Sequence, residues 1–228
     1  MTNPLEKYYR NRIAEMHVVL PSGGNYGGDI NFSMAETVEV FALTAADEIY
    51  ITNPDSLITG SAVERIISSC CPSVGSPREL PIQDVDAICL AAKKLSYGNY
   101  LKISGKCTKC EKEQEFKILI DGIFSKSTNI PSEVMCEVDG LKIYLKPYTL
   151  ELANYISSKE FEENKLIETI QSSELSDEDK AKHFFNSIQK IKELNLNSTE
   201  DCIIRIITED GTEVVNEDYI SQFIQNAS

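Results

Sequence analysis

A Cys-x-x-Cys pair between two alternating segments is the feature that most limits how this chain can fold. Residues 100–104 and 115–120 alternate between polar and apolar side chains, as β-strands do. Cys107 and Cys110 lie in the short polar stretch between them. Because strands so close in sequence pair most readily as an antiparallel hairpin, the pattern predicts a strand, a cysteine knuckle and a second strand.

The cysteine pair has three interpretations. Two thiolates held by a tight turn are half of a tetrahedral zinc site, which needs two further ligands. The sequence has no second pair with this spacing, so Cys70, Cys71 and Cys136 are the candidates to complete a site. Redox work requires the pair at a helix N-terminus, where the helix dipole lowers a thiol pKa. Since this pair lies between strands, bracing of the hairpin is favoured first, zinc second and redox chemistry least.

The remaining segments alternate between strand-like and helix-like patterns and predict an α+β fold. Residues 1–147 are expected to form a β-rich core with packed helices and the CxxC knuckle. Residues 148–228 are expected to form a smaller, helix-rich α+β part, because long acidic helix-like segments begin after Pro147. The predicted strands are 38–43, 48–52, 100–104, 115–120, 134–138, 141–145 and 202–208, and the predicted helices are one after Ser61, 80–95, 149–171, 177–194 and one after Asn216. Asp139-Gly140 predicts a hairpin turn, and Ser176 and Asn216 predict helix caps. The helix at 177–194 is expected to carry one apolar stripe, formed by Ala181, Phe184, Phe185, Ile188 and Ile191.

Charge and composition exclude several classes of function. The net charge is −14 and the isoelectric point is about 4.6. Nucleic-acid binding and docking on an anionic membrane both depend on Lys and Arg, so neither is expected. No apolar run is long enough to span a bilayer, and the first residues do not resemble a signal peptide. The cytoplasm is therefore the expected location, with the seven scattered cysteines as free thiols.

Signals of catalysis are weak, so a non-enzymatic protein is expected. The glycine-rich stretch SGGNYGGD at 22–29 lacks the Lys-Ser or Lys-Thr of a phosphate-binding loop and does not fit GxGxxG. A flexible loop that contacts a partner is its preferred interpretation. The chain has no GxSxG motif, and His17 and His183 are its only histidines.

The order of several short segments resembles a known family. LPSGGNYGG is followed by a strand ending in ALTAADE, then by NPDSLITGSAVERIISSCC, ELPIQDVDAICLAAKKLSYGNY and CTKC. This series is similar to the hub and hub-assembly proteins of T4-type phage baseplates, over about residues 17–120 and more loosely to Thr149. The resemblance implies a protein that binds other baseplate or hub proteins during hub assembly in the host cytoplasm. Two outcomes stay open: a place in the virion baseplate, or departure after assembly.

The resemblance supplies no catalytic residues, and zinc at Cys107 and Cys110 is the one cofactor expected. Exposure and flexibility indicate where partners bind: an N-terminal arm, the glycine loop and the knuckle itself. Two alternatives remain open, a zinc-ribbon-like adaptor of a cellular complex and an enzyme with a Cys107 nucleophile. The partner-binding residues predicted in the arm and the loop are Tyr8, Tyr9, Ser22, Gly23, Gly24 and Tyr26.

Overall fold

The computed structural model describes residues 16–25, 30 and 37–226. They form two compact units: the described residues of Met1–Leu57 with Ser61–Ile130, and those of Ile58–Gly60 with Pro131–Ser228. Each unit combines helices with small antiparallel sheets, which confirms the predicted α+β class. In chain order the elements are β1 Met16–Val19, β2 Thr37–Val40, α1 Ala45–Ile51, α2 Pro54–Ile58, α3 Ser61–Cys70, a 3-10 turn Pro77–Glu79, α4 Ile82–Tyr97, β3 Tyr100–Lys106, β4 Glu113–Leu119, α5 Ile120–Phe124, β5 Val134–Val138, β6 Leu141–Leu145, α6 Leu150–Gln171, α7 Asp177–Cys202, β7 Ile203–Ile207, β8 Glu213–Val214 and α8 Glu217–Asn226.

The core of the first unit lies between a two-stranded sheet and two helices. Strands β1 and β2 pair antiparallel and alternate buried with more exposed residues, so that Val18, Val38 and Val40 point inward. Helix α4 packs against both strands and against α3. Ile67 of α3 and Ile88 of α4 are completely buried, and the removal of such apolar surface from water stabilises the unit.

The predicted strand at 48–52 is wrong, because residues 48–51 belong to helix α1 and Thr52 is the C-cap of that helix. Thr44 caps that helix: its hydroxyl accepts from the Asp47 N–H at 3.2 Å, and the Asp47 carboxylate accepts from the Thr44 N–H at 3.0 Å. Together the two bonds form a capping box. The β-branched residues at 49–52 favoured a strand, but a cap that starts a helix three residues earlier outweighs that preference.

Asp47 also ties α1 to α3. Its side chain is completely buried and accepts from Arg65 Nε at 3.0 Å and from the Ser69 hydroxyl at 2.6 Å. Burial raises the pKa of Asp47, but hydrogen bonds from Ser69, Thr44 and Arg65 outweigh that effect and lower the pKa from 3.8 to about 2. The carboxylate is therefore held in its charged form.

The second unit contains a four-stranded antiparallel sheet in the order β5–β6–β7–β8. The Asp139-Gly140 turn predicted between β5 and β6 is confirmed, with positive φ angles of 50° and 78°. Arg205 of β7 crosses the sheet: it stacks 4.0 Å from the centre of the Tyr144 ring, pairs with both oxygens of Glu133 at 3.2 and 2.8 Å, and lies 3.3 Å from Glu213. One side chain thus links several parts of the sheet.

Helices α6 and α7 pack against each other in the same unit, and α8 packs against α7 and β7. The predicted caps are confirmed: Ser176 accepts from the Asp179 N–H at 3.2 Å, and Asn216 accepts from the Tyr219 N–H at 3.1 Å. Lys190 of α7 pairs with Glu163 of α6 at 2.8 Å. The apolar stripe expected on α7 is only partly covered, since Phe184 and Phe185 are 47% and 61% exposed.

The division between the compact units precedes the boundary predicted at 147/148. Strands β5 and β6 lie on the C-terminal side of it because β6 pairs with β7, which is distant in sequence. A local composition change cannot reveal such a pairing. The assignment of residues 1–147 and 148–228 as folding domains stays a prediction.

Candidate functional site

The CxxC hairpin forms as predicted, and its turn places both cysteines at one end of a long ladder. Strands β3 and β4 pair antiparallel from Tyr100↔Leu119 to Lys106↔Glu113. At the turn, the Cys107 N–H donates to the Lys112 carbonyl at 3.0 Å, and the Glu111 N–H donates to the Cys107 carbonyl at 2.8 Å. Glu111 has a φ of 55°, in the left-handed region. The turn therefore folds the chain back on itself around Cys107.

The backbone at this turn is arranged to stabilise a thiolate. Hydrogen bonding from the backbone of Lys109 and Cys110, together with the Cys110 side chain, lowers the pKa of the Cys107 thiol. Cys107 is half-buried and Cys110 is exposed. Two sulfurs on a tight turn with N–H donors suit two corners of a tetrahedral zinc ion, whose ligands are thiolates. The zinc assignment itself stays a prediction.

The other candidate ligands do not join this pair. Among residues 16–25, 30 and 37–226, no group of three or more His, Cys, Asp or Glu side chains is arranged to hold a metal ion. Cys70 and Cys71 are completely buried in the first unit. Cys136 lies on β5, where it pairs with Ile143. The two candidates in the same unit as the knuckle, Cys70 and Cys71, therefore do not join it.

The hairpin exposes an apolar face that the sequence analysis missed. Leu101 is paired with Ile118, and Ile103 with Phe116, so the four side chains share one face of the ladder. Ile103, Phe116 and Ile118 are 48%, 52% and 39% exposed. The alternation of β3 and β4 contains this signal, because every second residue from 101 to 103 and from 116 to 118 is apolar.

The hairpin is anchored at its base, at the end remote from the cysteines. The Ile120 N–H donates to the Asn99 carbonyl at 3.1 Å, and Ile120 is completely buried. The Asn99 amide donates to Asp121 at 2.6 Å, and Asp121 also pairs with Lys94 of α4. These contacts fix the direction in which the ladder leaves the first unit.

The beginning of the glycine loop is tied down by a buried carboxylate. Asp84 of α4 is completely buried and accepts from both the N–H of Ser22, at 2.9 Å, and the Ser22 hydroxyl. The Gly24 N–H donates to the same hydroxyl at 3.0 Å. Burial raises the pKa of Asp84, and the bonds from Ser22 offset only part of that rise. These bonds fix the loop backbone at this point, where the sequence predicts a flexible loop.

The predicted partner-binding residues differ in how they are placed. Ser22 is only 4% exposed, whereas Gly23 is exposed and Gly24 half-buried. Tyr8, Tyr9 and Tyr26 lie outside the described residues. Ser22 therefore shapes the loop from within, and contact by the loop, the arm and the knuckle stays a prediction.

Comparison with known proteins decides the family. A family model described as T4 bacteriophage base plate protein matches residues 13–227. The chain belongs to this family. Searches of curated proteins and of solved structures found no match. Membership in the T4 baseplate family confirms the resemblance and extends it through the C-terminal helices.

A member of the T4 baseplate family is a phage baseplate structural protein. Membership indicates contacts with other baseplate proteins and a place in the virion. It gives no support to the alternative of a zinc-ribbon-like adaptor. Within the described ranges, no helix has the length and apolar character needed to cross a membrane.

Proposed function

We propose that this T4 baseplate family member takes part in assembling the baseplate hub through protein–protein contacts, without catalysing a reaction. The observation that carries the proposal is the family match over residues 13–227, which spans both compact units. Assembly would take place in the host cytoplasm, and the partners would be other baseplate and hub proteins.

Exposed apolar side chains on both units support a role in protein binding. Ile49 in the first unit is 75% exposed, and Phe185 and Tyr219 in the second are 61% and 64% exposed. Large apolar side chains at protein interfaces are covered when a partner binds. A protein built into a larger assembly is expected to expose such residues as a single chain.

The buried acidic groups of the first unit have structural partners, which supports a non-enzymatic role. Asp47 is held by a helix cap and by Arg65 and Ser69, and Asp84 is held by Ser22. Shifted carboxyl pKa values often mark catalytic sites. Here the pKa of Asp47 is lowered by contacts that join two helices, and the pKa of Asp84 is raised by burial in the core of the fold.

The proposal is tested by following the protein through assembly. Quantitative mass spectrometry would compare purified virions with partially assembled hubs, using phage in which the gene is intact or removed. We expect the chain in hub intermediates, and we expect hubs to be lost when the gene is removed. A fixed copy number in mature particles would identify a structural component, and presence in intermediates alone would identify an assembly factor.

A matched pair of variants tests the predicted loop contact in the same assay. Tyr26→Ala should reduce recovery of the chain with hub intermediates, whereas Asn25→Ala, a change at an exposed neighbour, should not. Both variants should keep the thermal unfolding temperature of the unchanged protein. Normal hubs without the gene, or absence of the chain from both hubs and virions, would overturn the proposal and favour the cellular adaptor.

A further inference from the structure

We infer that Cys107 and Cys110 form one half of a four-thiolate zinc site, and that the same pair in a second copy of this chain completes it. The metal would bridge two hairpins at their turns and join two chains. This inference goes beyond hub assembly and does not depend on it. It rests on the hairpin geometry, on the positions of the other candidate ligands and on charge.

The geometry of the turn supplies two ligands. The Cys107 N–H to Lys112 carbonyl bond closes the ladder beneath the turn, and the Glu111 N–H to Cys107 carbonyl bond at 2.8 Å closes the turn itself. Cys110 follows Cys107 by three residues in this turn and is exposed. A structural zinc ion takes four ligands, and four thiolates are one of its usual sets.

The other two ligands are not supplied by the described residues of the first unit. All seven cysteines and both histidines lie among the described residues, and none of them forms a ligand group of three or more there. Burial raises the pKa of Cys71, and burial together with nearby acidic groups raises that of Cys89 to about 12. Such thiols stay protonated and remain core residues, so completion of the site falls to another chain.

Charge favours a second copy at the knuckle. One Zn²⁺ with four thiolates carries a net charge of −2, which requires compensation in its surroundings. Lys106, Lys109 and Lys112 surround each cysteine pair. The segment 100–119 has five lysines against three glutamates, although the whole chain has a net charge of −14. Two copies would therefore bring their basic hairpins, not their acidic surfaces, to the shared ion.

A two-fold symmetric zinc site would also bring together the exposed apolar hairpin faces of the two copies. In a two-fold dimer the same surface patch of each copy meets the other, so each copy contributes two thiolates and the same apolar ladder face. Ile103 and Phe116, paired across the ladder and about half exposed, lie on that face. A hairpin face is smaller than the area that a stable dimer needs. Association should therefore depend on the metal.

The test uses the full chain, kept reduced with a phosphine and freed of metal by a chelator. Zinc is titrated while sedimentation analysis measures the mass, and cobalt(II) replaces zinc to report the number of thiolates by its visible spectrum. We expect one metal ion for two chains, a four-thiolate cobalt spectrum and a dimer that the chelator dissociates. The dimer dissociation constant should rise by about 100-fold or more when the metal is removed.

Two double variants give the control. Cys107→Ser with Cys110→Ser should abolish metal binding and the dimer, whereas Cys136→Ser with Cys202→Ser should retain both. Circular dichroism checks that each variant is folded. If a variant does not fold, the cobalt spectrum of the unchanged chain still tests the number of thiolates. One zinc ion per monomer, a cobalt spectrum of fewer than four thiolates, no binding at micromolar zinc, or a dimer that forms equally well without metal would each overturn the inference.

Discussion

Replacing Asp47 by asparagine should destabilise the first unit by about 3 kcal/mol at neutral pH, and acid should reduce this penalty. The reason lies in the contacts of the carboxylate. Its two oxygens receive the Thr44 N–H and hydroxyl, the Ser69 hydroxyl and Arg65 Nε, at 2.6 to 3.0 Å. With the side chain completely buried, no water replaces a lost bond.

The expected destabilisation by Asp47→Asn has two parts. The pKa of Asp47 falls from 3.8 to about 2 on folding, and at 1.36 kcal/mol per pKa unit this is about 2 kcal/mol at neutral pH. An asparagine keeps one oxygen but turns an amide NH₂ toward a group that donates, which costs about 1 kcal/mol more. A carboxyl whose pKa is lowered on folding stabilises above its unfolded pKa, and the effect is lost as pH falls through the folded value. The penalty should therefore fall by about 1 kcal/mol between pH 7 and pH 3.

Urea unfolding followed by far-ultraviolet circular dichroism would measure the difference between Asp47→Asn and the unchanged chain at both pH values. Asp84→Asn is the control, because its stability relative to the unchanged chain should change with pH in the opposite direction. Since burial raises the pKa of Asp84, the unchanged chain loses stability as pH rises through that pKa, and Asp84→Asn should gain relative stability with pH. A penalty below about 1 kcal/mol at pH 7, or one that is the same at both pH values, would refute the reasoning.

Three further changes test other contacts. Ser22→Ala removes the hydroxyl that donates to Asp84 and should lower the free energy of unfolding by about 1–2 kcal/mol; an effect additive with Asp84→Ala in a double-mutant cycle would contradict that contact. Arg205→Lys keeps the charge but loses the stacking on Tyr144 and the fork geometry, so urea unfolding should show a loss of about 1 kcal/mol, and no loss would contradict the stacking. Gly140→Ala places a side chain at a φ of 78° and should lower the thermal unfolding temperature by the equivalent of about 1–2 kcal/mol; Gly140→Asn should lower it less, and equal effects would contradict backbone strain as the cause.

Features that depend on residues close in sequence could be predicted. The CxxC turn, the Asp139-Gly140 turn and the caps at Ser176 and Asn216 each depend on a few adjacent side chains, and all of them form. Helix α1 was missed although its signal is also local. Thr44 and Asp47 form a capping box, but the apolar, β-branched residues that follow favour a strand when they are considered alone.

Features that depend on distant partners could not be predicted from patterns. Asp47 and Asp84 are charged, and charged residues are usually exposed, so the sequence predicts surface positions for them. Only the fold brings Arg65 to Asp47 and Ser22 to Asp84. For the same reason the sequence could not show that Ser22 is buried. In the candidate site, the sequence located the two thiols. Its alternation indicates an apolar side on each of β3 and β4, but only the pairing register shows that these two sides form one face.

The bond network at Ser22 has a consequence for the thermodynamics of binding. An unrestrained loop loses about 1–2 kcal/mol of conformational entropy per residue when a partner orders it. At Ser22, Gly23 and Gly24 this ordering has already taken place during folding, through Asp84 and the turn bond from the Gly23 N–H to the Leu20 carbonyl at 2.9 Å. A partner that contacts these residues meets a rigid surface, so its association should carry a small entropic penalty and resemble rigid-body docking more than coupled folding and binding.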